Sequence, residues 1–100
     1  MSATLTVISW RDIPAQVVAK KGRTACKIEL APRFQQAIDR AAMRAGSIGT
    51  DEYLDDWNRQ SRACGDDLEA EAQNEADGIS ARFTLDVLNE YVLNGGYRGE

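Results

Sequence analysis

The spacing of apolar residues changes at Pro32, and this change divides the chain into a segment of predicted strands and a segment of predicted helices. Segments 4–10 and 15–20 are rich in β-branched or other apolar residues, and segment 24–30 alternates between apolar and polar residues. From Pro32 onward, apolar residues recur at the three- and four-residue spacing of a helix face. The first third of the chain therefore predicts strands, and the remainder predicts helices.

The three predicted strands are joined by short loops. The loops RDIP and KGR are short enough for hairpins, so the simplest arrangement is a three-stranded antiparallel meander with the second strand in the middle. In the third strand, Cys26, Ile28 and Leu30 fall on one face, whereas Lys27 and Glu29 fall on the other. This alternation predicts a strand with one buried and one solvated face.

Four helices are predicted after the meander. Pro32 suits the first position of a helix, Gly46 the position just past its end, and Thr50 and Thr84 suit N-caps. The predicted helices cover residues 32–45, 51–62, 66–83 and 85–93. We expect a single small α+β domain over residues 1–95 and a flexible tail over residues 96–100.

Length and composition limit the class of protein. A chain of 100 residues supports one modest core, and no apolar run approaches the roughly 18 residues of a membrane span. The N-terminus, MSATLTVISW, lacks the basic start and long apolar core of a secretory signal. We therefore expect a cytoplasmic protein that does not enter the membrane.

The residue types that most catalytic sites need are scarce. Histidine is absent, which removes the usual general base and the commonest metal ligand. Cys26 and Cys64 are far apart and form no C-x-x-C motif, so we expect neither a metal site nor a disulfide framework. No phosphate-binding or dinucleotide-binding glycine motif is present. We predict a protein without catalytic residues, metal or cofactor, with an enzyme that relies on Asp, Tyr or Cys as the alternative.

The charge of the chain changes sign at its midpoint. Residues 1–50 contain eight Lys or Arg and three Asp or Glu, a net charge of +5, whereas residues 51–100 contain four and thirteen, a net charge of −9. Two interpretations stay open: the two halves attract each other across the fold, or a basic face meets an anionic ligand or partner.

The string WRDIP covers the end of the first predicted strand and the loop that leads to the second. Trp10 and Arg11 place a planar cation beside an aromatic surface, which suits the binding of a carboxylate or phosphate. The alternative is a well-formed turn, in which Pro14 favours extended backbone before it and Asp12 accepts backbone hydrogen bonds. Catalysis is not expected at this turn.

A basic series surrounds the second hairpin. It consists of Lys20, Lys21, Arg23 and Lys27, with Arg33 following. These residues suit phosphate binding or form a solvated turn; no aromatic residues interleave with them, so we do not expect nucleic-acid binding. The candidate partner- or ligand-binding residues are thus Trp10, Arg11, Asp12, Lys20, Lys21, Arg23 and Arg33.

Three strings of the sequence resemble a known family. WRDIPAQVVAKKGR, PRFQQAIDRAAMRAG and DEYLDDW are similar to small bacterial proteins labelled "virulence factor". The resemblance implies a non-catalytic accessory protein, often encoded near methylenetetrahydrofolate reductase-like and corrinoid methyltransferase proteins. It also implies a family signature of Trp10, Arg11, Asp12, Ile13 and Pro14, together with Arg33, Phe34, Asp39 and Arg40.

Two hypotheses for function follow. The first is an accessory or adaptor protein that binds another protein, such as a methylenetetrahydrofolate reductase-like or methyltransferase protein, through its basic sheet and turn region. The second is a small regulatory module that binds an anionic small molecule, such as a folate or nucleotide, with Arg11, Lys20, Lys21 and Arg23 as its positive groups.

Overall fold

A computed structural model of the protein describes residues 3–98 as an α+β fold with four strands and four helices, which confirms the predicted class. The elements, in chain order, are β1 Ala3–Trp10, β2 Ile13–Lys21, β3 Thr24–Glu29, α1 Pro32–Ala45, α2 Asp51–Asp55, β4 Trp57–Cys64, α3 Leu68–Arg82 and α4 Leu85–Leu93.

The four strands form one antiparallel sheet in the order β3-β2-β1-β4. The predicted meander is present, but the prediction of three strands was wrong, because β4 pairs with the free edge of β1. This pairing joins Ala3 to Cys64 at one end and Trp10 to Trp57 at the other. Both β1 and β2 are therefore interior strands.

The predicted helix over residues 51–62 was also wrong. Helix α2 ends at Asp55, and the following residues form β4. The spacing of Tyr53, Leu54 and Trp57 predicts one inward helix face. In the structure Leu54 is 67% exposed, and the rings of Tyr53 and Trp57 meet edge-on with their centroids 6.2 Å apart. The segment WNRQSRAC shows no apolar alternation, because β4 is an edge strand with most of its side chains in solvent. The pairing of β4 with β1 outweighs the preference of this segment for a helix.

Helix α1 occupies the predicted residues, Pro32–Ala45. Its buried face consists of Phe34, Ala37, Ile38, Ala41 and Ala42, at the helical spacing read from the sequence. The backbone N–H of Gly46 donates to carbonyls of the last turn while its φ is 70°, a left-handed conformation that favours glycine. The period of the apolar residues and the terminal glycine were thus sufficient to predict where α1 begins and ends.

The two last helices agree with their predicted positions to within two residues. Helix α3 starts after Asp67, whose side chain accepts a hydrogen bond from the N–H of Ala70, and α4 starts after Thr84, which accepts from Val87. The apolar stripe of α3 faces inward through Leu68, Ala72, Ala76 and Ile79.

The core lies between the helices and one face of the sheet. Leu5, Val17 and Ala19 are fully or almost fully buried on this face, and Phe34, Ile38 and Leu88 are their buried counterparts on the helices. Within the part of the chain that the structure describes, no helix is long and apolar enough to cross a membrane.

The opposite face of the sheet is buried at one end, at Trp10 and Ile13, and its remaining part has no buried residue. We call this remaining part the open face; by the pairing of the strands and their alternation, it carries Thr4, Thr6, Ile8, Gln16, Val18, Lys20, Ala25, Lys27, Glu29, Arg59, Ser61 and Ala63. Antiparallel sheets commonly keep one face solvated in this way.

Candidate functional site

The WRDIP string forms the tight turn between β1 and β2. Arg11 has a φ of 53° and is the one non-glycine residue with positive φ in residues 3–98. Its backbone N–H donates to the carbonyl of Asp56 at 2.9 Å, and its carbonyl accepts from the side chain of Asn58 at 2.9 Å. The turn is therefore anchored to the start of β4, and this anchoring holds Arg11 in a conformation that side chains rarely adopt.

The guanidinium of Arg11 is held from several directions. It lies between the rings of Trp10 and Tyr97, at 4.6 and 4.7 Å from their centroids. Its Nε pairs with Asp56 at 2.9 Å, and Nη1 donates to the carbonyl of Gly95 at 2.6 Å. The side chain is only 11% exposed. Arg11 thus joins the first turn of the sheet to the start of β4 and to the segment after α4.

Asp12 and Trp10 complete this junction. The N–H of Asp12 donates to the carbonyl of Gly96, and its carboxylate accepts from the N–H of Arg98 at 2.7 Å. Trp10 is fully buried, and its indole N–H donates to the carbonyl of Tyr53. The predicted flexible tail begins at residue 96; its first three residues contact this turn, and residues 99 and 100 lie outside the described residues.

These contacts favour the structural interpretation of WRDIP. Trp10 has no exposed surface, and the guanidinium of Arg11 already has a carboxylate, a carbonyl and two aromatic rings as partners. Asp12 is the exposed member of the three. A recognition role for this turn stays a prediction, with Asp12 as the residue that a partner could reach.

The basic residues of the second hairpin lie at the other end of β2. Lys20 and Arg23 are exposed, whereas Lys21 pairs with Asp66 at 3.2 Å. With a rise of about 3.3 Å per residue, β2 separates them from Arg11 by roughly 25 Å. The four cations named for an anionic small molecule are therefore not gathered around one ligand.

Arg33 lies at a third position, where α1 meets the end of α3. Its guanidinium donates to the carbonyls of Ser80, at 3.0 Å, and Phe83, at 3.3 Å, and lies 4.9 Å from the ring of Phe34. These carbonyls end α3, where a cation is favourable. The contacts of Arg33 are thus those of a residue that fastens two helices together.

The open face is the surface on which basic and apolar residues meet. Ile8 and Val18 lie half-buried on its two interior strands, while Lys20, Lys27 and Arg59 are exposed around them. Sequence reasoning missed Ile8, Val18 and Arg59 as surface candidates. The alternation of residues within β1 and β2 indicated that Ile8 and Val18 share a face. Arg59 could not be placed on that face without knowing that β4 is a strand.

The described residues contain little that could support metal chemistry. Within residues 3–98, no group of three or more Cys, Asp or Glu side chains could hold a metal ion. Cys26 and Cys64 are both free and half-buried.

A comparison with protein families shows the family to which the chain belongs. The family model described as "Virulence factor" matches residues 8–92, from the last three residues of β1 to the last turn of α4. The chain belongs to the virulence factor family. The match extends past the first 60 residues, which carried the resemblance in the sequence, so the virulence factor family includes the acidic helix α3 and α4. No curated protein and no solved structure matches the chain.

Proposed function

We propose that this member of the virulence factor family is a non-catalytic accessory protein that binds another protein through the open face of its sheet. The observation that carries the proposal is that the open face takes residues from all four strands of the sheet and contains no buried residue. The residues of the open face are half-buried or exposed, so they are available to a partner.

The residues of the open face define the kind of partner. Ile8 and Val18 supply an apolar centre, which is where protein interfaces gain most of their affinity. Lys20, Lys27 and Arg59 surround this centre, with Glu29 as the exposed acidic residue on the same face. A partner with an apolar patch inside an acidic rim is complementary to this arrangement.

The family resemblance supports one class of partner. Methylenetetrahydrofolate reductase-like and corrinoid methyltransferase proteins are the candidates, because the resemblance implies that they are encoded near members of this family. An accessory role also agrees with the composition, since the chain has no histidine to serve as a general base.

A binding measurement with purified proteins tests the proposal. Each candidate enzyme is immobilised, and the full chain is titrated over it at low and at physiological salt. We expect binding that weakens as salt rises, because exposed charges are screened. The variant Lys27→Glu/Arg59→Glu should weaken binding at low salt by about tenfold or more, since it reverses two charges on the interface.

A matched variant controls for net charge. Arg40→Glu/Arg44→Glu makes the same change in charge at two exposed residues of α1, outside the open face, and should leave binding within about twofold. Because both arginines donate hydrogen bonds to α4, thermal melting checks that this variant keeps its fold. If neither enzyme binds the wild type, the one-carbon assignment is wrong. If one binds but both double variants weaken it equally, the open face is not the interface.

A further inference from the structure

A groove lies on the covered side of the sheet, where the helices leave β1 and β4 partly uncovered. Its volume is about 460 Å³, and its lining comes from β1, β4, α3, α4 and the segment after α4. Ligand pockets of proteins commonly measure about 300–1,000 Å³. The groove is thus large enough for a small molecule, and it lies on the opposite face of the sheet from the proposed interface.

The floor of the groove is apolar and partly aromatic. Leu5 and Val7 of β1 form it together with Ile79 and Phe83. The ring of Phe83 meets the ring of Tyr91 edge-on at 5.2 Å, and both residues are half-buried. A planar or branched apolar group can therefore lie against this floor and remove apolar surface from water.

Three arginines surround the floor. Arg62 projects from β4, Arg82 from the end of α3, and Arg98 follows α4. Glu75 is shared between two of them: it lies 3.0 Å from Arg62 and 3.9 Å from Arg82. The hydrogen bond and the negative charge of Glu75 raise the pKa of Arg62.

The remaining hydrogen-bonding capacity of these arginines is large. Within residues 3–98, the guanidinium groups of Arg82 and Arg98 make no hydrogen bond, and Arg82 has only the long ion pair to Glu75. Arg11 also lines the groove, but its charge is already paired with Asp56. Since an arginine offers five N–H donors in a planar fork, this wall suits an oxyanion.

We propose that this groove binds a small amphipathic anion, a molecule with an apolar, preferably aromatic, body and one carboxylate or phosphate group. The apolar body lies on Val7, Ile79 and Phe83, while the anionic group accepts hydrogen bonds from the arginine wall. Three arginines face two carboxylates in the lining, Glu75 and Asp12, so the unpaired charge there is positive. One anion restores the balance.

The site differs from the one that the sequence suggested for an anionic ligand. That hypothesis combined Arg11 with Lys20, Lys21 and Arg23, which lie at opposite ends of β2. The groove instead uses Arg62, Arg82 and Arg98 from the acidic half of the chain. The sequence could not indicate this, because Arg62 reaches the groove only through the pairing of β4 with β1.

The test uses the full chain and three probes that share one ring system. Naphthoate and naphthyl phosphate carry an anionic group, and naphthalene methanol is their neutral counterpart. Binding is measured from the shifts of backbone amide signals in nuclear magnetic resonance titrations. We expect both anions to shift signals of β1, the end of α3 and Tyr91, and the neutral probe to bind at least tenfold more weakly, because hydrogen bonds to charged groups add about 1.5–3 kcal/mol.

Two arginines of the same strand provide a matched pair of variants. Arg62 faces the groove and Arg59 the open face, and both are exposed, so neither substitution should unfold the chain. Arg62→Ala and Arg82→Ala should each weaken the anionic probes by about tenfold, and Arg59→Ala by less than about twofold. Thermal melting of each variant checks that the fold is retained.

The outcomes separate clearly. Preference for naphthoate or for naphthyl phosphate identifies the anionic group of the ligand, and either supports the proposal. Equal binding of the neutral probe, equal weakening by Arg59→Ala and Arg62→Ala, or absence of shifts with every probe overturns it. None of these results bears on the partner interface, since that interface lies on the other face of the sheet.

Discussion

Replacing Arg11 tests whether the WRDIP turn is primarily structural. The variant Arg11→Ala removes the guanidinium while keeping a side chain at the positive φ of 53°, so the backbone strain is the same in both proteins. The change in stability then measures the contacts of the guanidinium. These are the pair with Asp56, the hydrogen bond to Gly95, and the rings of Trp10 and Tyr97.

The expected loss is large for one side chain. Removing one partner of a buried ion pair costs about 3–5 kcal/mol, and we reduce this to about 2 kcal/mol because the side chain of Asp56 is 30% exposed. The two ring contacts add about 0.5 kcal/mol each. The sum of about 3 kcal/mol corresponds to a fall in Tm of about 12–24 °C for a domain of this size.

Thermal and urea unfolding followed by circular dichroism provide the assay. Arg11→Lys keeps the charge but loses the planar fork that reaches Asp56 and Gly95 and stacks on the rings, so we expect most of the loss to remain. A melting temperature for Arg11→Ala within about 3 °C of the wild type would refute the reasoning. It would also shift the balance toward recognition, since a buried cation that adds no stability calls for another role.

Three further predictions concern backbone, caps and surface charge. A Cβ at Gly96, where φ is 97°, would lie 2.7 Å from Cζ3 of Trp10. Gly96→Ala should therefore lower the free energy of unfolding by about 2 kcal/mol or more. Gly49→Ala, at a φ of 79° with open space around it, is the control and should lower it by only about 1 kcal/mol. Thr84→Ala removes the cap of α4 and should cost about 1 kcal/mol in urea unfolding. Lys21→Ala breaks an exposed ion pair and should change stability by less than about 0.5 kcal/mol; a larger loss there would show that the hairpin is more tightly held than its exposure indicates.

The elements that sequence predicts well are those whose signal is local. Helix α1 has an apolar period of about 3.6, Pro32 at its first position and Gly46 after its end, and the structure places its ends at the predicted residues. Thr84 caps α4 as expected. In these segments the residues that form the element also determine where it ends.

Strand β4 shows where local signals fail. An edge strand needs only one partner strand and little burial, so polar residues such as Asn58, Gln60 and Arg62 suit it as well as a helix surface. What selects the strand is the free edge of β1, whose paired residues lie 47 to 61 positions earlier in the chain. The apolar spacing of Tyr53 and Trp57 then favoured the wrong element.

The candidate sites depend on the same long-range pairing. Arg11 was singled out from its neighbour Trp10, but its partners Asp56 and Gly95 come from distant segments, and no spacing in the sequence connects them. Likewise, the groove and the open face both depend on β4, whose two sides carry Arg62 and Arg59. The sequence shows which residue types are present, whereas which of them lie together in space depends on the pairing of the strands in the sheet.

The division of charge along the chain has consequences for both proposed surfaces. Arg11 and Lys21 from the basic half pair with Asp56 and Asp66 from the acidic half, so the halves do attract each other, as one of the two interpretations held. Those pairs use only two of the eight basic residues of the first half. Lys20 and Lys27 are left on the open face, while the exposed side of α3 keeps acidic residues such as Glu69 and Asp77.

The open face is therefore mainly basic, whereas the exposed surface of α3 is acidic apart from the arginines of the groove. A molecule with two such surfaces attracts copies of itself at low ionic strength, when screening is weak. The partner measurement at low salt thus needs a companion measurement of molecular mass by sedimentation at the same salt. A true partner competes with this self-association because it adds an apolar patch that matches Ile8 and Val18, and apolar burial, unlike charge attraction, persists at physiological salt.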